Sequence, residues 1–203
     1  MLRENITVFK VGGSLLDLPN LNLRLKEAID LCKATNPLLV IGGGPLADLV
    51  HRLQPIHNYD DLTAHRLAIQ ALEFNSYFVE SFFNQSQVVD DYRTCKSLWA
   101  NQKIPILNPF TFLAKHRNTR LSSIPNSWEF TADSISAKIS DLLRAQELVL
   151  LKSVNWEVGS DIPGAAHKGY IDPLFNLYSK SIPILTWINL RSTALAAICI
   201  RSV

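Results

Sequence analysis

The chain has 203 residues, 47% hydrophobic and 19% charged, with a formal net charge of +2; this suits a single domain over 1–203 with a substantial core and gives no electrostatic case for nucleic acid or an anionic membrane. No apolar run reaches the roughly 18–20 residues that span a bilayer, and no signal peptide is visible ahead of the first apolar run. The three widely spaced cysteines, Cys32, Cys95 and Cys199, argue against a disulfide framework or a Cys-x-x-Cys metal site and for a reducing cytoplasm, each being read as a small buried apolar residue.

Residues 6–11 read as a buried strand that leads into Lys10-Val11-Gly12-Gly13-Ser14-Leu15-Leu16, a tight turn and a helix start. Glycines there let backbone N–H groups approach an anion closely, and a helix N-terminus adds partial positive charge. A lysine inside an apolar strand is costly to bury unless it meets a negative group, and a polyphosphate is one such group. A lysine that merely snorkels to solvent is the plain alternative. Asp17-Leu18-Pro19-Asn20 is a turn. In residues 21–34, Leu21, Leu25, Ala28, Ile29 and Cys32 fall at helical spacing, which marks an amphipathic helix packed on a sheet.

Residues 37–41 form a continuous apolar run, as in a parallel strand covered on both faces. It ends in Gly42-Gly43-Gly44-Pro45, ahead of a helical segment over 46–53. Two strand–glycine–helix units in succession place both glycine turns at one carboxyl edge, where open α/β sheets bind ligands. A long helix over about 62–82 follows, capped by Asp61 or Thr63, with Leu67, Ala71, Phe74, Phe78 and Phe82 as its core face. His51 and His65 lie in this region and are read first as structural. Val88-Val89 is a weak element, 93–100 a short helix, 103–108 a strand, 111–115 a short helix and 116–119 a polar loop.

Two later segments carry chemistry. Ile124-Pro125-Asn126-Ser127-Trp128-Glu129-Phe130-Thr131-Ala132-Asp133-Ser134 is densely polar and opens an amphipathic helix, with Thr131 or Asp133 the expected cap. Glu147-Leu148-Val149-Leu150-Leu151-Lys152-Ser153 is a buried strand with a second lysine at its carboxyl end. Residues 157–169 read as a mobile loop, 173–179 as a short helix, 182–188 as a strand, 193–195 as a turn and 196–200 as a last short strand. The alternation predicts a three-layer α/β/α sandwich around a mostly parallel central sheet, with helices on both faces.

In that order and at these spacings, Val8-Phe9-Lys10-Val11-Gly12-Gly13-Ser14, Ile41-Gly42-Gly43-Gly44-Pro45, Thr131-Ala132-Asp133-Ser134 and Leu150-Leu151-Lys152-Ser153-Val154 resemble the amino acid kinase superfamily. That group includes acetylglutamate, uridylate and isopentenyl phosphate kinases, and the resemblance covers nearly the whole chain. Pro125-Asn126-Ser127-Trp128-Glu129-Phe130-Thr131-Ala132-Asp133-Ser134-Ile135 and Lys168-Gly169-Tyr170-Ile171-Asp172-Pro173-Leu174-Phe175 look like the kinases of methanofuran biosynthesis, which phosphorylate an aminomethylfuran phosphate in one-carbon carrier metabolism.

The resemblance implies an ATP- and Mg²⁺-dependent small-molecule kinase with a phosphate-bearing acceptor, and a homo-oligomer. Lys10, Asp133 and Lys152 would be catalytic, Asp133 orienting the two lysines. Gly12, Gly13, Ser14 and Ser153 would bind nucleotide or phosphate. Gly42, Gly43, Gly44, Asp48, Ser127, Trp128 and Glu129 would bind the acceptor, Asp48 or Glu129 meeting an ammonium; no residue is assigned as a metal ligand. Phosphoryl transfer needs positioning and cations more than covalent chemistry from the protein. The chain departs from the family where Val-Asp-Gly-Val is common and Val154-Asn155-Trp156-Glu157 stands instead. That departure motivates an alternative, a catalytically silent relative that binds a nucleotide or anion as a sensor or assembly subunit. A plain α/β domain whose glycines only make turns is the third reading.

Overall fold

A computed structural model describes residues 5–115, 125 and 127–202. The expected polar loop at 116–119 and the Asn126 position of the motif lie outside the described residues. β1 (Ile6–Val11), β2 (Asn36–Ile41), β3 (Ser86–Val89), β4 (Ile104–Leu107), β5 (Glu147–Lys152), β6 (Ile184–Asn189) and β7 (Ile198–Ser202) form one sheet in the order β3-β4-β2-β1-β5-β6-β7. All neighbours are parallel except β6 and β7. The three central strands β2, β1 and β5 are almost wholly buried. Their unbroken apolar runs are what a strand covered on both faces requires.

Alternation along these strands builds two cores. Ile6, Val8, Leu148 and Leu150 face one side with Ile135 and Ile139 of α6 (Ala132–Leu143). Phe9, Val11, Val149 and Leu151 face the other, with Leu21, Leu25 and Ala28 of α1 (Leu21–Leu31). The three-layer sandwich follows from that period of two. Among the described residues, no helix is long and apolar enough to cross a membrane.

Several local expectations are corrected. The first glycine turn opens a single 3-10 turn at Gly13–Leu15 rather than a helix, and α1 begins only at Leu21. α2 (Gly44–His57) is longer than 46–53, with Pro45 in its first turn. The cap of α3 (Asp61–Phe82) is Asp60, whose carboxylate accepts from the Thr63 amide at 2.8 Å. The expected loop at 157–169 contains α7 (Ile162–His167), where Asp161 accepts from the Gly164 amide at 2.7 Å. Of the cysteines, Cys95 is buried, Cys32 is partly so, and Cys199 on the edge strand is exposed.

The largest correction concerns α3. It buries Ala64, His65, Ala68, Ala71, Leu72, Asn75, Ser76 and Val79, while Leu67, Phe74, Tyr77 and Phe78 are exposed. That inner face, mostly small residues with His65, Leu72 and Val79, lies against the second glycine turn, where a Cβ on Gly43 would come within 3.1 Å of Leu72 Cδ1; of the expected stripe, Ala71 is buried and Phe82 half-buried.

Candidate active site

The carboxyl ends of β1, β2 and β5 meet at one edge, and both glycine turns leave from there. A Cβ on Gly13 would overlap the amide nitrogen and Cα of Gly44, so the two turns are in backbone contact and only glycine permits it. Asn75 of α3 holds the second turn, its Nδ2 donating to the Gly42 and Gly43 carbonyls at 2.8 Å each. The Gly12 amide donates to the Leu151 carbonyl and the Gly42 amide to the Val11 carbonyl. Those two N–H groups finish the sheet, so the expectation that Gly12 offers its amide to a phosphate is corrected.

Lys10 shares a face with Val8, and Lys152 shares the same face with Leu148 and Leu150, through the alternation of the strands. That face looks onto the first turn of α6, where Asp133 stands. Lys10 Nζ lies 2.8 Å from Asp133 Oδ1. Lys152 Nζ lies 2.8 Å from the same oxygen and 2.9 Å from Oδ2, and donates to the Tyr170 carbonyl at 2.6 Å. All three charged residues are buried. Burial pushes the Asp133 carboxyl up, but the two ammonium groups outweigh it and bring it down to about 2. Burial, then the neighbouring Lys10 charge, lowers Lys152 to about 8 against the pull of Asp133. Asp133 thus lies between two cations, with the Asp172 carboxylate near enough to act on Lys152 as well.

Asp172 completes the arrangement. Its Oδ2 accepts from the Thr131 amide (3.1 Å), the Thr131 hydroxyl (3.0 Å) and the Ser134 amide (2.9 Å), and its Oδ1 accepts from the Ser134 hydroxyl. Thr131 occupies the cap position of α6 yet makes no side-chain cap bond; the carboxylate that caps the helix comes from 41 residues further on. Burial and the nearby Asp133 charge raise the Asp172 carboxyl, against its hydrogen bonds from Ser134 and Thr131.

Two cavities open on this centre. The first, of about 400 Å³, is lined by Lys10, Gly13, Ser14, Gly42, Gly43, Gly44, Asp48, Ser127 and Trp128, with Ala68, Ile69 and Leu72 of α3 as an apolar wall. The second, of about 440 Å³, is lined by Lys10, Gly12, Gly13, Ser14, Trp128, Asp133, Lys152 and Ser153. Both volumes lie in the range of small-molecule sites. Lys10, Gly13, Ser14, Trp128 and Thr131 belong to both, so the cavities meet at the first glycine turn. The Ser14 and Ser153 hydroxyls are 3.0 Å apart. Trp128 is set by its indole N–H, which donates to Gln54 Oε1 at 2.8 Å.

Of the residues singled out in the sequence, Glu129 is not on either wall. It is exposed, its amide donates to the Ser127 hydroxyl oxygen at 3.0 Å and its carbonyl accepts from the Leu174 amide at 3.2 Å, so the turn is held by its backbone and its carboxylate is left outside. Asp172, Asn75 and the Tyr170 carbonyl carry no role in the sequence reading. Asp172 and Tyr170 stand inside the quoted Lys168–Phe175 phrase, and an Asn at helical spacing from Ala68 and Ala71 was the available signal for Asn75. After β5, Val154 to Glu157 are engaged with neighbours: Trp187 Nε1 donates to the Val154 carbonyl, Asn189 to the Asn155 side chain, and Lys168 pairs with Glu157.

Residues 5–155 match the sequence model of the amino acid kinase family. A curated relative, the [5-(aminomethyl)furan-3-yl]methyl phosphate kinase of Methanocaldococcus jannaschii, is 29% identical over 151 residues, 73% of this chain. The match spans 66% of that relative, just under two thirds of its length. The fold is that of solved uridylate kinases. The Archaeoglobus fulgidus enzyme superposes with a TM-score of 0.60 at 15% identity, covering 93% of this chain and 97% of its own. The UMP kinase of Bacillus anthracis gives 0.65 at 13% identity, covering 97% of this chain and 99% of its own.

Proposed function

This chain belongs to the amino acid kinase family, and from that premise we propose that it is an ATP-dependent kinase that transfers the γ-phosphoryl group to a small, phosphate-bearing acceptor. The observation that carries this reading is Lys10. It lines both cavities and shares with Lys152 the buried carboxylate of Asp133.

In this reading the nucleotide phosphates lie in the second cavity, beside Lys152 and Ser153, and the acceptor in the first, against α3. The transferring group passes at Lys10, where the cavities meet. The lysine neutralises charge that builds on the phosphoryl oxygens, and Asp133 holds both ammonium groups in place before the substrates arrive, so little reorganisation accompanies transfer. An acceptor that is already a phosphate is an anion and needs no general base, and none is assigned. Magnesium is the family's usual companion of ATP. The described residues include no cluster of three His, Cys, Asp or Glu able to hold a metal, and Asp133 is engaged with two lysines. In this reading the ion would be held chiefly by the nucleotide phosphates, a common arrangement for Mg²⁺.

The acceptor we favour is an aminomethylfuran phosphate, on the strength of the relative's substrate and of Asp48 on the first cavity's wall. A cytoplasmic homo-oligomer completes the reading; the exposed Leu67, Phe74 and Phe78 of α3 are the surface on which to look for its contacts. The test is a transfer assay with ATP and magnesium over a panel of small phosphates that includes [5-(aminomethyl)furan-3-yl]methyl phosphate. The expected result is diphosphate product, with Lys10→Met reducing kcat by about 100-fold or more. Nucleotide binding by calorimetry without transfer to any member of the panel would overturn the kinase reading in favour of a silent, nucleotide-binding relative.

A further inference from the structure

The first cavity contains a buried polar atom that no group among the described residues answers. His65, in the second turn of α3, is 8% exposed and lines the cavity beside Ala68, Ile69 and Leu72. Its Nε2 has no hydrogen-bond partner among the described residues. Buried polar groups are nearly always paired, so each exception asks for a reason. The surroundings sharpen the contrast. Asn75 satisfies two glycine carbonyls, Asp172 receives four donors, and Lys152 reaches three acceptor atoms. The other two unpartnered buried atoms, Ser179 Oγ and Arg201 Nε, line neither cavity.

The Phe130 backbone favours the protonated ring, as a carbonyl accepting a ring N–H does. In the tautomer that carries this proton on Nδ1, Nε2 presents a lone pair to the cavity. Burial lowers the imidazole's proton affinity and keeps the ring neutral. A neutral ring does not repel a cation, and Asp48 supplies a carboxylate on the same wall.

We propose that His65 determines acceptor specificity: Nε2 accepts a hydrogen bond from an N–H or O–H group of the acceptor, which is therefore a phosphate carrying an amine or alcohol arm rather than a hydrocarbon one. The proposal rests on the assignment of the first cavity to the phosphoryl acceptor. A site built around a buried hydrogen-bonding group rejects the analogue that lacks its partner, because the group is then left unpaired.

The probes are three furanylmethyl phosphates that differ only in an aminomethyl, a hydroxymethyl or an ethyl arm. Wild type is expected to favour at least one donor arm over ethyl by about tenfold or more in kcat/KM. Amine over alcohol assigns an ammonium, and the reverse order assigns a hydroxyl. In His65→Phe that preference falls to within about threefold, and the loss lies in KM rather than kcat. His65→Gln, which keeps an acceptor oxygen, retains part of it and serves where the Phe variant does not fold. An unchanged preference in both variants overturns the proposal and leaves the kinase reading standing. A readout independent of turnover is the ¹⁵N spectrum of the histidine rings in wild type. Nε2 is expected unprotonated in the free protein and displaced by a donor-arm phosphate but not by the ethyl one. If no acceptor is phosphorylated, the kinase reading falls and this titration alone decides. A protonated Nε2, or no response to any of the three phosphates, overturns the assignment.

Discussion

Asp133→Asn removes the one anion between two buried ammonium groups. Each Nζ lies 2.8 Å from Oδ1, a separation at which a pair attracts by roughly 6 kcal/mol at an effective dielectric of about 20. Much of that attraction offsets the desolvation of the charges, and breaking a buried pair costs about 3–5 kcal/mol net. The protein has a less costly way out. Lys152 already titrates at about 8, so releasing its proton at pH 7 takes about 1 kcal/mol, and less once Asp133 is gone. The variant is therefore expected to fold with Lys152 neutral, about 3 kcal/mol less stable than wild type at pH 7. Its kcat should fall by about 100-fold or more, since one of two cations is lost.

The pH trends then run in opposite directions. The unfolded chain binds the lysine proton and the folded variant does not, so the variant gains stability as pH rises from 6 to 8. Its activity is instead partly regained toward pH 6, where Lys152 takes the proton back. In wild type the same proton is lost only above about pH 8, and nucleotide affinity should fall there. Urea unfolding and transfer assays in the same buffers at pH 6, 7 and 8 measure both. Turnover within threefold of wild type at pH 7, or variant and wild-type pH profiles that superimpose, would refute this reasoning.

Three further outcomes are expected. Asp172→Ala leaves four donors at the start of α6 unanswered and should cost about 2–3 kcal/mol in urea unfolding. Asp172→Asn keeps one acceptor oxygen for the amides and offers its NH₂ to the Ser134 hydroxyl, so its loss should stay within about 1 kcal/mol; equal losses would deny the capping role. Gly13→Ala drives a Cβ into the backbone of Gly44 and should cost about 3 kcal/mol or more, whereas Gly159→Ala, in open space with φ +81, should cost about 1 kcal/mol; comparable melts for the two would contradict the close approach. Phe74→Glu, on the exposed face of α3, should change stability by no more than about 0.5 kcal/mol while reducing the sedimenting mass if that face joins the proposed homo-oligomer; an unchanged mass would remove the face from that proposal.

The parts of the molecule legible in the sequence were those governed by one residue's neighbours. Lys10 stands one residue before the end of its apolar strand and Lys152 at the end of its own, and a period of two puts both on one face. The glycine turns announced their own edge. What escaped was decided by packing between distant segments. The large residues of α3, Leu67, Phe74 and Phe78, have the right spacing for a core stripe, but of that stripe Ala71 is buried, and the face that meets the glycine turn carries Ala68, Leu72 and Asn75. The cap of α6 was sought in Thr131 or Asp133, within the segment, because local caps are the rule; it comes from Asp172, which no local pattern can assign. Glu129 stands next to Trp128 in the chain, yet a turn at that point sends one side chain into both cavities and the other into solvent. The stretch at 157–169 is polar enough to pass for a loop, and the Asp161 cap that makes it a helix is a two-residue signal.

The stretch that matches the family ends at residue 155, while two groups that secure the central charges, the Tyr170 carbonyl and the Asp172 carboxylate, come later. A ribosome that has delivered β5 has therefore supplied both lysines and their counter-ion but not the clamp that steadies them. The charged centre is set only when the segment carrying Tyr170 and Asp172 folds back, so a protein cut after residue 155, retaining both lysines and Asp133, is expected to keep much of the central sheet and lose that clamp.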